Sequence, residues 1–291
     1  MRDELNALVH SVRRRFFLSP KVMDFMPAVP EMQRTLERGR YLYDGYQRSS
    51  SLKYGSLGDL VTRDPIYRKA RAASRLPGVR SVVDEERFHN LFLIIKFFMR
   101  DLKSQNVIEF GAYKGGSAIF LATLLAEYYP SARMLSLDTF AGIPESKEGV
   151  DTPPQDFAAS NLDWVRKTVR SIGLKNLEFV QGKVQDTALD ACRRLGVLGL
   201  AHIDVVLYEP SIFAQNIALE FLAPGGYLIQ DDALEPNCVG ATLAAEELIR
   251  ERGLSIEQIW PQMVFRAGPS SPSDIQYSEK GKAQFSVVPT G

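Results

Sequence analysis

The sequence predicts an α/β protein with a doubly wound, mostly parallel sheet and an N-terminal, mainly helical extension. From residue 106 onwards, short apolar runs alternate with helical stretches, which is typical of parallel strands covered by helices on both faces. Right-handed crossovers between such strands give the doubly wound arrangement. The first part of the chain lacks this alternation, because Pro20, Pro27 and Pro30 and then a stretch rich in Tyr, Arg, Ser and Gly interrupt it.

We expect three segments along the chain. Residues 1–83 form a helical or irregular segment that acts as a lid or in oligomerisation, with a short amphipathic helix over 3–17 and an irregular, partly mobile stretch over 40–59. Residues 84–268 form the α/β domain. Residues 269–291 are rich in Ser, Pro and Gly and form a loose tail.

Each element of the α/β domain has a local signal. The acids at 84–86 start a helix that runs to about residue 102, because acidic residues favour a helix N-terminus. Short apolar runs predict strands at 107–110, 134–137, 177–180, 203–208 and 227–230, with a late strand near 262–265. Helical stretches between them predict helices at 116–128, 156–171, 185–195, 211–222 and 239–252.

Composition and charge exclude several classes of protein. The 291 residues include 35 basic and 35 acidic side chains, but residues 1–105 hold 20 basic and 12 acidic ones, whereas residues 106–291 hold 15 and 23. We expect the basic part to cover the acidic part, in the same chain or in a neighbouring subunit. We expect no nucleic-acid partner and no membrane partner, because there is no basic-aromatic motif, long apolar stretch or signal peptide. Two cysteines, Cys192 and Cys238, indicate a reducing, cytoplasmic location rather than a disulfide scaffold.

The segment VIEFGAYKGGS indicates a ligand site at the end of the first strand. Gly111 and Gly115 permit a tight turn and a close approach of ligand to backbone, and the helix that opens near Ser117 offers free N–H groups. Glu109 would repel a pyrophosphate but suits a positive or neutral polar group, such as the amino-acid part of S-adenosylmethionine. The alternative is that Gly111 only makes a tight turn between strand and helix.

Asp138 follows the second predicted strand. An acid at this position can accept hydrogen bonds from a ribose diol. Together with Glu109, Asp138 therefore favours a nucleoside-containing ligand at the carboxyl edge of the sheet. The alternative is an ordinary loop acid at a strand end.

Three further acids predict a metal site. Asp204 lies among apolar residues of a predicted strand, where an unpaired carboxylate is costly and needs a cation, a donor network or a metal. Asp231 and Asp232 end the predicted strand 227–230, which can lie beside the strand of Asp204. The three carboxylates then form an all-oxygen cage for Mg²⁺ or a similar divalent cation. The alternative is that Asp231 and Asp232 cap the following loop and Asp204 has a basic neighbour.

These segments together resemble a known family. In order along the chain, VIEFGAYKGGSA, LDTFAGIP, VVLYEPS and APGGYLIQDD resemble the macrocin O-methyltransferase family over about residues 106–250. The resemblance implies a Rossmann-like class I methyltransferase fold. It also implies an S-adenosylmethionine- and Mg²⁺-dependent O-methyltransferase acting on a hydroxyl of a sugar or glycosylated natural product.

The resemblance also implies a role for each candidate residue. Asp138 would hold the cofactor ribose, and Asp204, Asp231 and Asp232 would ligate the metal. The other candidate cofactor residues are Glu109, Gly111, Gly115 and Ser117 at the first turn, and Gln181 and Gly182 beside the adenine.

One position departs from the family pattern. A second acid, proposed as the base that deprotonates the sugar hydroxyl, typically follows the first metal-binding Asp by two residues, where this chain has Val206. Either another group serves, or the metal alone acidifies the hydroxyl, or catalysis is lost. His202 and Glu209 are the nearby catalytic candidates, and a structural role is the alternative for each.

The N-terminal segment offers a candidate substrate lid. Tyr41, Tyr43 and Tyr46, with Arg40 and Arg48, suit a sugar because aromatic faces and planar donors match polyols. The alternative is a surface-packing or dimer segment, and we expect a homo-oligomer because relatives use this part in oligomer contacts. Two other functions stay open: a catechol- or phenol-type metal-dependent O-methyltransferase, and a cofactor-binding homologue without catalysis.

Overall fold

The computed structural model describes residues 45–55, 57–143, 150, 151, 157, 160–254 and 256–267, and the backbone of 275–277 and 283–285. Its centre is one sheet, whose strands are β1 (Val107–Phe110), β2 (Met134–Asp138), β3 (Leu177–Gln181), β4 (Leu198–Ile203), β5 (Leu222–Gln230), β6 (Ile256–Gln258) and β7 (Met263–Arg266). They lie in the order β3-β2-β1-β4-β5-β7-β6. Strands β1 to β5 are parallel, and β7 is antiparallel to both β5 and β6. This confirms the doubly wound, mostly parallel sheet.

Helices cover both faces of the sheet. They are α1 (Gly45–Tyr54), α2 (Leu57–Arg63), α3 (Pro65–Ala73), α4 (Glu85–Leu93), α5 (Gly116–Tyr128), α6 (Leu162–Ser171), α7 (Val184–Leu195), α8 (Tyr208–Phe221) and α9 (Val239–Arg250). Buried side chains of α3 to α6 pack on one face, and those of α7 to α9 pack on the other. A π-helical turn, Ile94–Phe98, follows α4. No helix in the described part of the chain is both long and apolar enough to cross a membrane.

The face of the sheet beneath α4 carries a row of polar side chains within its apolar core. Successive strand residues point to opposite faces, so Glu109 shares the face of Val107, which packs in the core formed with α4 and α5. Ser136 on β2 and His202 on β4 lie in register on either side of Glu109. All three polar side chains are fully buried. They therefore have to satisfy their hydrogen bonds and charges inside the protein.

Two sequence predictions about elements are wrong. The strand predicted at 203–208 is β4, Leu198–Ile203, and helix α8 already begins at Tyr208. Apart from His202 and Asp204, residues 197–208 are mostly apolar and do not alternate regularly, as is typical of a strand buried on both faces. The pattern therefore did not mark the strand ends. The stretch 40–59, predicted to be irregular, contains α1 and the start of α2.

Tertiary packing rather than local sequence explains helix α1. A Cβ built on Gly45 would lie 2.1 Å from the carbonyl oxygen of Glu257, so the helix rests directly on β6. The helix predicted at 3–17 lies outside the described residues. Within the predicted tail, the structure describes an antiparallel pair of short strands, β8 (Ile275–Tyr277) and β9 (Ala283–Phe285).

Candidate functional site

A cleft of about 970 Å³ opens at the carboxyl edge of the sheet. Its wall is built mainly from the segments that follow β1, β2, β3 and β4. Ligands of open α/β sheets bind at this edge. The candidate site residues in the wall are Gly111, Ser117, Asp138, Gly182, Asp204 and Asp232.

The turn between β1 and α5 packs closely against the end of β4. Gly111 has a φ of +100°, and a Cβ built on it would lie 1.8 Å from the carbonyl oxygen of Asp204. A side chain there would be strained and would collide with backbone, so this approach requires glycine. Gly111 therefore fixes the distance between the turn and Asp204 and does more than permit a tight turn.

Asp138 ends β2 and holds two loops that border the cleft. Its Oδ2 accepts the backbone N–H of Tyr113 at 2.7 Å, and its Oδ1 accepts that of Phe140 at 2.6 Å. Burial raises the pKa of Asp138 above its usual value, although these N–H groups act in the opposite direction. The two hydrogen bonds fix the carboxylate in the wall of the cleft, where the sequence predicted a ribose-binding acid.

Three candidate cofactor residues lie outside the wall of the cleft. Glu109 is fully buried within β1 and accepts the hydroxyl hydrogen of Ser136 at 2.5 Å. Gly115 is the N-cap of α5, with a φ of +75°. Gln181 is exposed, and its amide donates to the carbonyl oxygen of Thr139 at 3.3 Å. These three residues shape the segments around the cleft rather than its surface.

His202 lies between two buried carboxylates. Its Nδ1 is 3.1 Å from Oε1 of Glu109, and its Nε2 is 3.0 Å from Oδ1 of Asp231. Burial alone would lower the pKa of His202, but the hydrogen bonds to Asp231 and Glu109 outweigh it and raise the pKa well above its usual value. Because both neighbours accept, both ring nitrogens carry hydrogen. His202 therefore has no lone pair with which to bind a metal or take a substrate proton.

Asp231 is the best-partnered acid of the site. It accepts hydrogen bonds from His202, from the amide of Gln262, and from Nη1 of Arg87 at 2.6 Å. Burial would raise the pKa of Asp231, but the His202 hydrogen bond and the charge of Arg87 lower it to about 2. The carboxylate is therefore ionised throughout the physiological range. Arg87 also pairs with Glu235.

Asp204 and Asp232 lack such neutralisation. The Oδ2 of Asp232 is buried and has no hydrogen-bond partner. Burial and the charge of Asp231 raise the pKa of Asp232 to about 7. Burial and the charges of Asp231 and Asp232 raise the pKa of Asp204 well above its usual value. Both carboxylates line the cleft. A cation bound from outside the chain would stabilise their ionised forms.

The acidic cluster fits a divalent cation. One potential ligand atom from each of His202, Asp204 and Asp231 lies within 4.8 Å of the others. The sequence-predicted set shares Asp204 and Asp231 with this group and has Asp232 as its third member. We favour Asp232, because His202 donates from both nitrogens whereas Asp232 has an unpartnered oxygen. Oxygen ligands of this kind suit Mg²⁺.

Comparison with known proteins decides the family. The macrocin-O-methyltransferase (TylF) family matches residues 60–259. The chain belongs to the TylF family. The match confirms the predicted family, whose description is that of an O-methyltransferase.

Two curated proteins are similar to this TylF-family chain. The 8-demethyl-8-(2,3-dimethoxy-alpha-L-rhamnosyl)-tetracenomycin-C 4'-O-methyltransferase of Streptomyces olivaceus is 29% identical over 171 residues, which are 54% of this chain and 64% of that protein. The alignment thus spans less than two thirds of that relative. The mycinamicin III 3''-O-methyltransferase of Micromonospora griseorubida is 27% identical over 197 residues, which are 62% of this chain and 76% of that protein.

Two solved structures share the fold. The calicheamicin methyltransferase CalS11 superposes with a TM-score of 0.55 at 20% identity, covering 73% of this chain and 90% of that one. The O-methyltransferase NovP superposes with a TM-score of 0.56 at 20% identity, covering 73% of this chain and 95% of that one. They confirm the class I methyltransferase fold predicted from the sequence.

The residues closest in sequence to Asp204 do not provide a catalytic base in this TylF-family chain. Val206 lines the cleft and offers no proton acceptor. Glu209 lies exposed in the first turn of α8, outside the wall of the cleft. Since His202 is enclosed by Glu109 and Asp231, the structure brings neither sequence candidate to the position of a base.

The candidate lid falls mostly beyond what the structure describes. Tyr41, Tyr43 and Arg40 lie outside the described residues, and Tyr46 lies in α1 with its side chain undescribed. Arg48 is fully buried and pairs with Glu257 at 3.1 Å. A buried, paired guanidinium cannot reach a substrate, so the interpretation of Arg48 as a lid residue is wrong.

Two site residues escaped the sequence analysis. Arg87 on α4 and Gln262 just before β7 both hydrogen-bond to Asp231, which lies 144 and 31 residues away in sequence. No local pattern links residues at such separations. The one available signal was weak and concerned Gln262 alone, a polar residue within an otherwise apolar segment.

Proposed function

We propose that this chain transfers the methyl group of S-adenosylmethionine to a hydroxyl of a sugar or glycosylated natural product, assisted by Mg²⁺ or a similar divalent cation. One observation carries the proposal: Gly111 and Asp138 share a single cleft with Asp204 and Asp232, two acids that lack a neutralising partner. The acceptor class rests on the two relatives, which are named for methylation of a rhamnosyl tetracenomycin and of mycinamicin III.

The cofactor roles follow from the positions in the cleft. Asp138 accepts hydrogen bonds from the ribose diol, as expected of an acid that ends the second strand. The β1–α5 turn at Gly111 and the N-terminus of α5 at Ser117 face the amino-acid part, and Gly182 leaves room beside the adenine. Glu109 and Gln181 act from outside the wall, through the segments that they hold.

Asp204, Asp231 and Asp232 hold the divalent cation. A divalent cation held there would supply Lewis acidity, which would lower the pKa of the acceptor hydroxyl. Asp231 is already ionised, whereas Asp204 and Asp232 release protons as the cation binds, because metal ligands must be deprotonated. The rigid cluster then orients the acceptor hydroxyl relative to the methyl group, and positioning is a large part of such catalysis.

The identity of residue 206 makes the cation essential in this proposal. The ionisable side chains of the described cleft wall are Tyr113, Asp138, Lys183, Asp204 and Asp232. Asp138 is held by two loops, and Asp204 and Asp232 belong to the cation site. With Val206 in place of an acid, we assign the acidification of the hydroxyl to the cation and expect strict dependence on it.

Methyl transfer to a panel of glycosides, with Mg²⁺ or with EDTA, tests this function. We expect turnover with Mg²⁺ and none above background with EDTA. Asp204→Ala should lose both metal binding and turnover, whereas Asp190→Asn, at an exposed acid on α7, should retain both. Full activity in EDTA, or an active, metal-binding Asp204→Ala variant, would contradict the assignment of the metal.

A phenolic acceptor is the second candidate. Val205, Val206, Leu207 and Pro210 give the cleft an apolar wall beside Asp204, and such a wall suits an aromatic ring. Catechols assayed beside the glycosides separate the two acceptor classes. A protein that binds S-adenosylhomocysteine in calorimetry but turns over no acceptor in these assays would instead be a cofactor-binding protein without catalysis.

Assembly, location and the lid stay predictions. We propose a homo-oligomer in the cytoplasm, with residues 1–83 as a lid or oligomerisation segment and Tyr41, Tyr43 and Tyr46 as its substrate contacts. Light scattering on the full chain tests the assembly. Alanine variants of the three tyrosines should raise KM for the acceptor while leaving S-adenosylhomocysteine affinity unchanged.

A further inference from the structure

A continuous chain of buried hydrogen bonds joins helix α1 to Asp231. Nε of Arg48 donates to Oδ1 of Asn90 at 2.8 Å, and Nδ2 of Asn90 donates to Oε1 of Gln262 at 3.0 Å. Nε2 of Gln262 then donates to Oδ1 of Asp231. All four side chains are fully buried. The chain runs from α1 through α4 and the residue before β7 to the acidic cluster.

The two ends of this chain fix its direction. Arg48 can only donate and the ionised Asp231 can only accept. Each amide between them must therefore turn its oxygen towards Arg48 and its nitrogen towards Asp231. Reversing either amide would place two donors or two acceptors against each other in a buried site, which costs the full desolvation of both groups. The hydrogen-bond chain thus has one arrangement.

Arg48 is anchored firmly at the remote end. Its Nε also donates to Oε1 of Gln258 at 2.6 Å, and its Nη2 pairs with Glu257 at 3.1 Å. Its guanidinium carbon lies 4.9 Å from the centre of the Phe98 ring. A fully buried arginine with this many contacts has little freedom to rotate. It therefore transmits the position of α1 and β6 to Asn90.

At the near end, the chain restrains the orientation of Asp231. A carboxylate has about four lone-pair sites. On Asp231, Oδ1 accepts from His202 and Gln262, and Oδ2 accepts from Arg87. Three donors from three directions leave about one site for a metal and hold the plane of the carboxylate. Without Gln262, the carboxylate would lose one of its two donors on Oδ1.

We propose that Arg48, Asn90 and Gln262 are positioning residues for the metal ligand Asp231, so that helix α1 contributes to divalent-cation affinity. The inference rests on the proposed function, because it requires that Asp231 binds a metal. It assigns part of the N-terminal segment to the metal centre and not only to a cover over the cleft. A purely structural role would instead make these residues matter for folding alone.

Mn²⁺ affinity, measured by calorimetry on the full chain, distinguishes the two roles. Gln262→Met keeps the length of the side chain but removes its donor to Asp231. We expect it to weaken Mn²⁺ binding about tenfold or more, as losses of outer-shell partners typically do. The affinity for S-adenosylhomocysteine, whose candidate contacts do not include Asp231, should change less than twofold.

The matched control is Gln215→Met. Gln215 is also buried, accepts from the amide of Gln230 at 2.7 Å, and takes no part in the hydrogen bonds to Asp231 described above. Its loss leaves one buried amide without that acceptor, as Gln262→Met does, so the general cost in stability is similar. We expect Mn²⁺ affinity to stay within twofold of the wild-type value in this variant.

Arg48→Lys tests the remote end and keeps a positive charge opposite Glu257, so that it folds even where a neutral substitution does not. We expect a weaker loss of Mn²⁺ affinity than in Gln262→Met. If Arg48 acts only through Gln262, the double variant binds Mn²⁺ no more weakly than Gln262→Met alone. Additive losses would show that Arg48 does not act through this chain.

The remaining outcomes separate this inference from the proposed function. A wild-type protein that binds no Mn²⁺ would overturn the metal assignment and the inference with it. If Gln262→Met binds Mn²⁺ as tightly as the wild-type protein does, the inference is overturned but the metal assignment is not. Equal losses in Gln262→Met and Gln215→Met would also overturn it, because a general loss of stability would then account for both.

Discussion

The Asp232→Asn variant should be more stable than the wild-type protein when no metal is present. Asp232 is 8% exposed, its Oδ2 has no partner, and burial with the charge of Asp231 raises its pKa from 3.8 to about 7. The folded protein therefore binds a proton at Asp232 more tightly than the unfolded chain does. Its stability is highest below the unfolded pKa and falls as the pH rises through the folded pKa.

The size of the effect follows from the pKa difference. About three pKa units correspond to a ceiling of about 4 kcal/mol above pH 7. Relaxation around the ionised carboxylate lowers this value. Each kcal/mol changes the Tm of a chain of this size by about 2 °C. We therefore expect Asp232→Asn to raise the metal-free Tm at pH 8 by several degrees, and by about 8 °C at most.

Thermal unfolding in EDTA at pH 5 and pH 8 measures the effect. The advantage of Asp232→Asn should be large at pH 8 and much smaller at pH 5, where the wild-type carboxyl is mostly protonated. Mg²⁺ should raise the Tm of the wild-type protein but not that of the variant. Asp190→Asn, at an exposed acid, should have the metal-free Tm of the wild-type protein at both pH values and should keep the rise in Tm with Mg²⁺. A variant with no advantage at pH 8, or with an equal advantage at both pH values, would refute the reasoning.

Three further predictions concern the cleft. Gly111→Ala should lower the free energy of unfolding by more than about 1 kcal/mol and weaken Mn²⁺ binding, because its Cβ would collide with the Asp204 carbonyl. The control is Gly173→Ala, where φ is also positive but the space around the Cβ is open. It should lose less stability in urea titrations and leave Mn²⁺ binding unchanged. Asp138→Asn should weaken S-adenosylhomocysteine binding about tenfold, or about 1.4 kcal/mol, and leave Mn²⁺ affinity unchanged in calorimetry; an unchanged Kd for S-adenosylhomocysteine would argue against the ribose role. Glu209→Gln should keep its kcat, because this exposed side chain lies outside the cleft wall, and a large loss in steady-state assays would restore Glu209 as a catalytic candidate.

The sequence predicted the elements whose ends carry turn residues. The predicted ranges 107–110 and 116–128 coincide with β1 and α5, because Gly111 and Gly115 mark the turn between them. The ends of β4 were missed, because residues 197–208 are mostly apolar and carry no glycine or proline at the end of the strand. The correction affects function: Asp204 follows the end of β4 at the edge of the sheet rather than lying inside a strand.

The sequence also predicted which acids meet, but not how they are held. Acids at the ends of parallel strands converge because the topology brings those ends to one edge. The partners of Asp231 depend on contacts between distant segments, and a periodic pattern carries no information about them. The same limit applies to His202, whose register beside Glu109 became visible only with β1 and β4 paired.

The charge of the cluster supports bound cations independently of any relative. The buried or half-buried acids are Glu109, Asp204, Asp231, Asp232 and Glu235, and the cations among them are Arg87 and His202. With every acid ionised, these groups leave an excess of three negative charges. Arg87 comes from the basic first part of the chain and pairs with two of these acids, Asp231 and Glu235. A divalent metal and the sulfonium of the cofactor would together supply three positive charges. The raised pKa values of Asp204 and Asp232 are consistent with this, because acids that lose their cationic ligands hold protons more tightly.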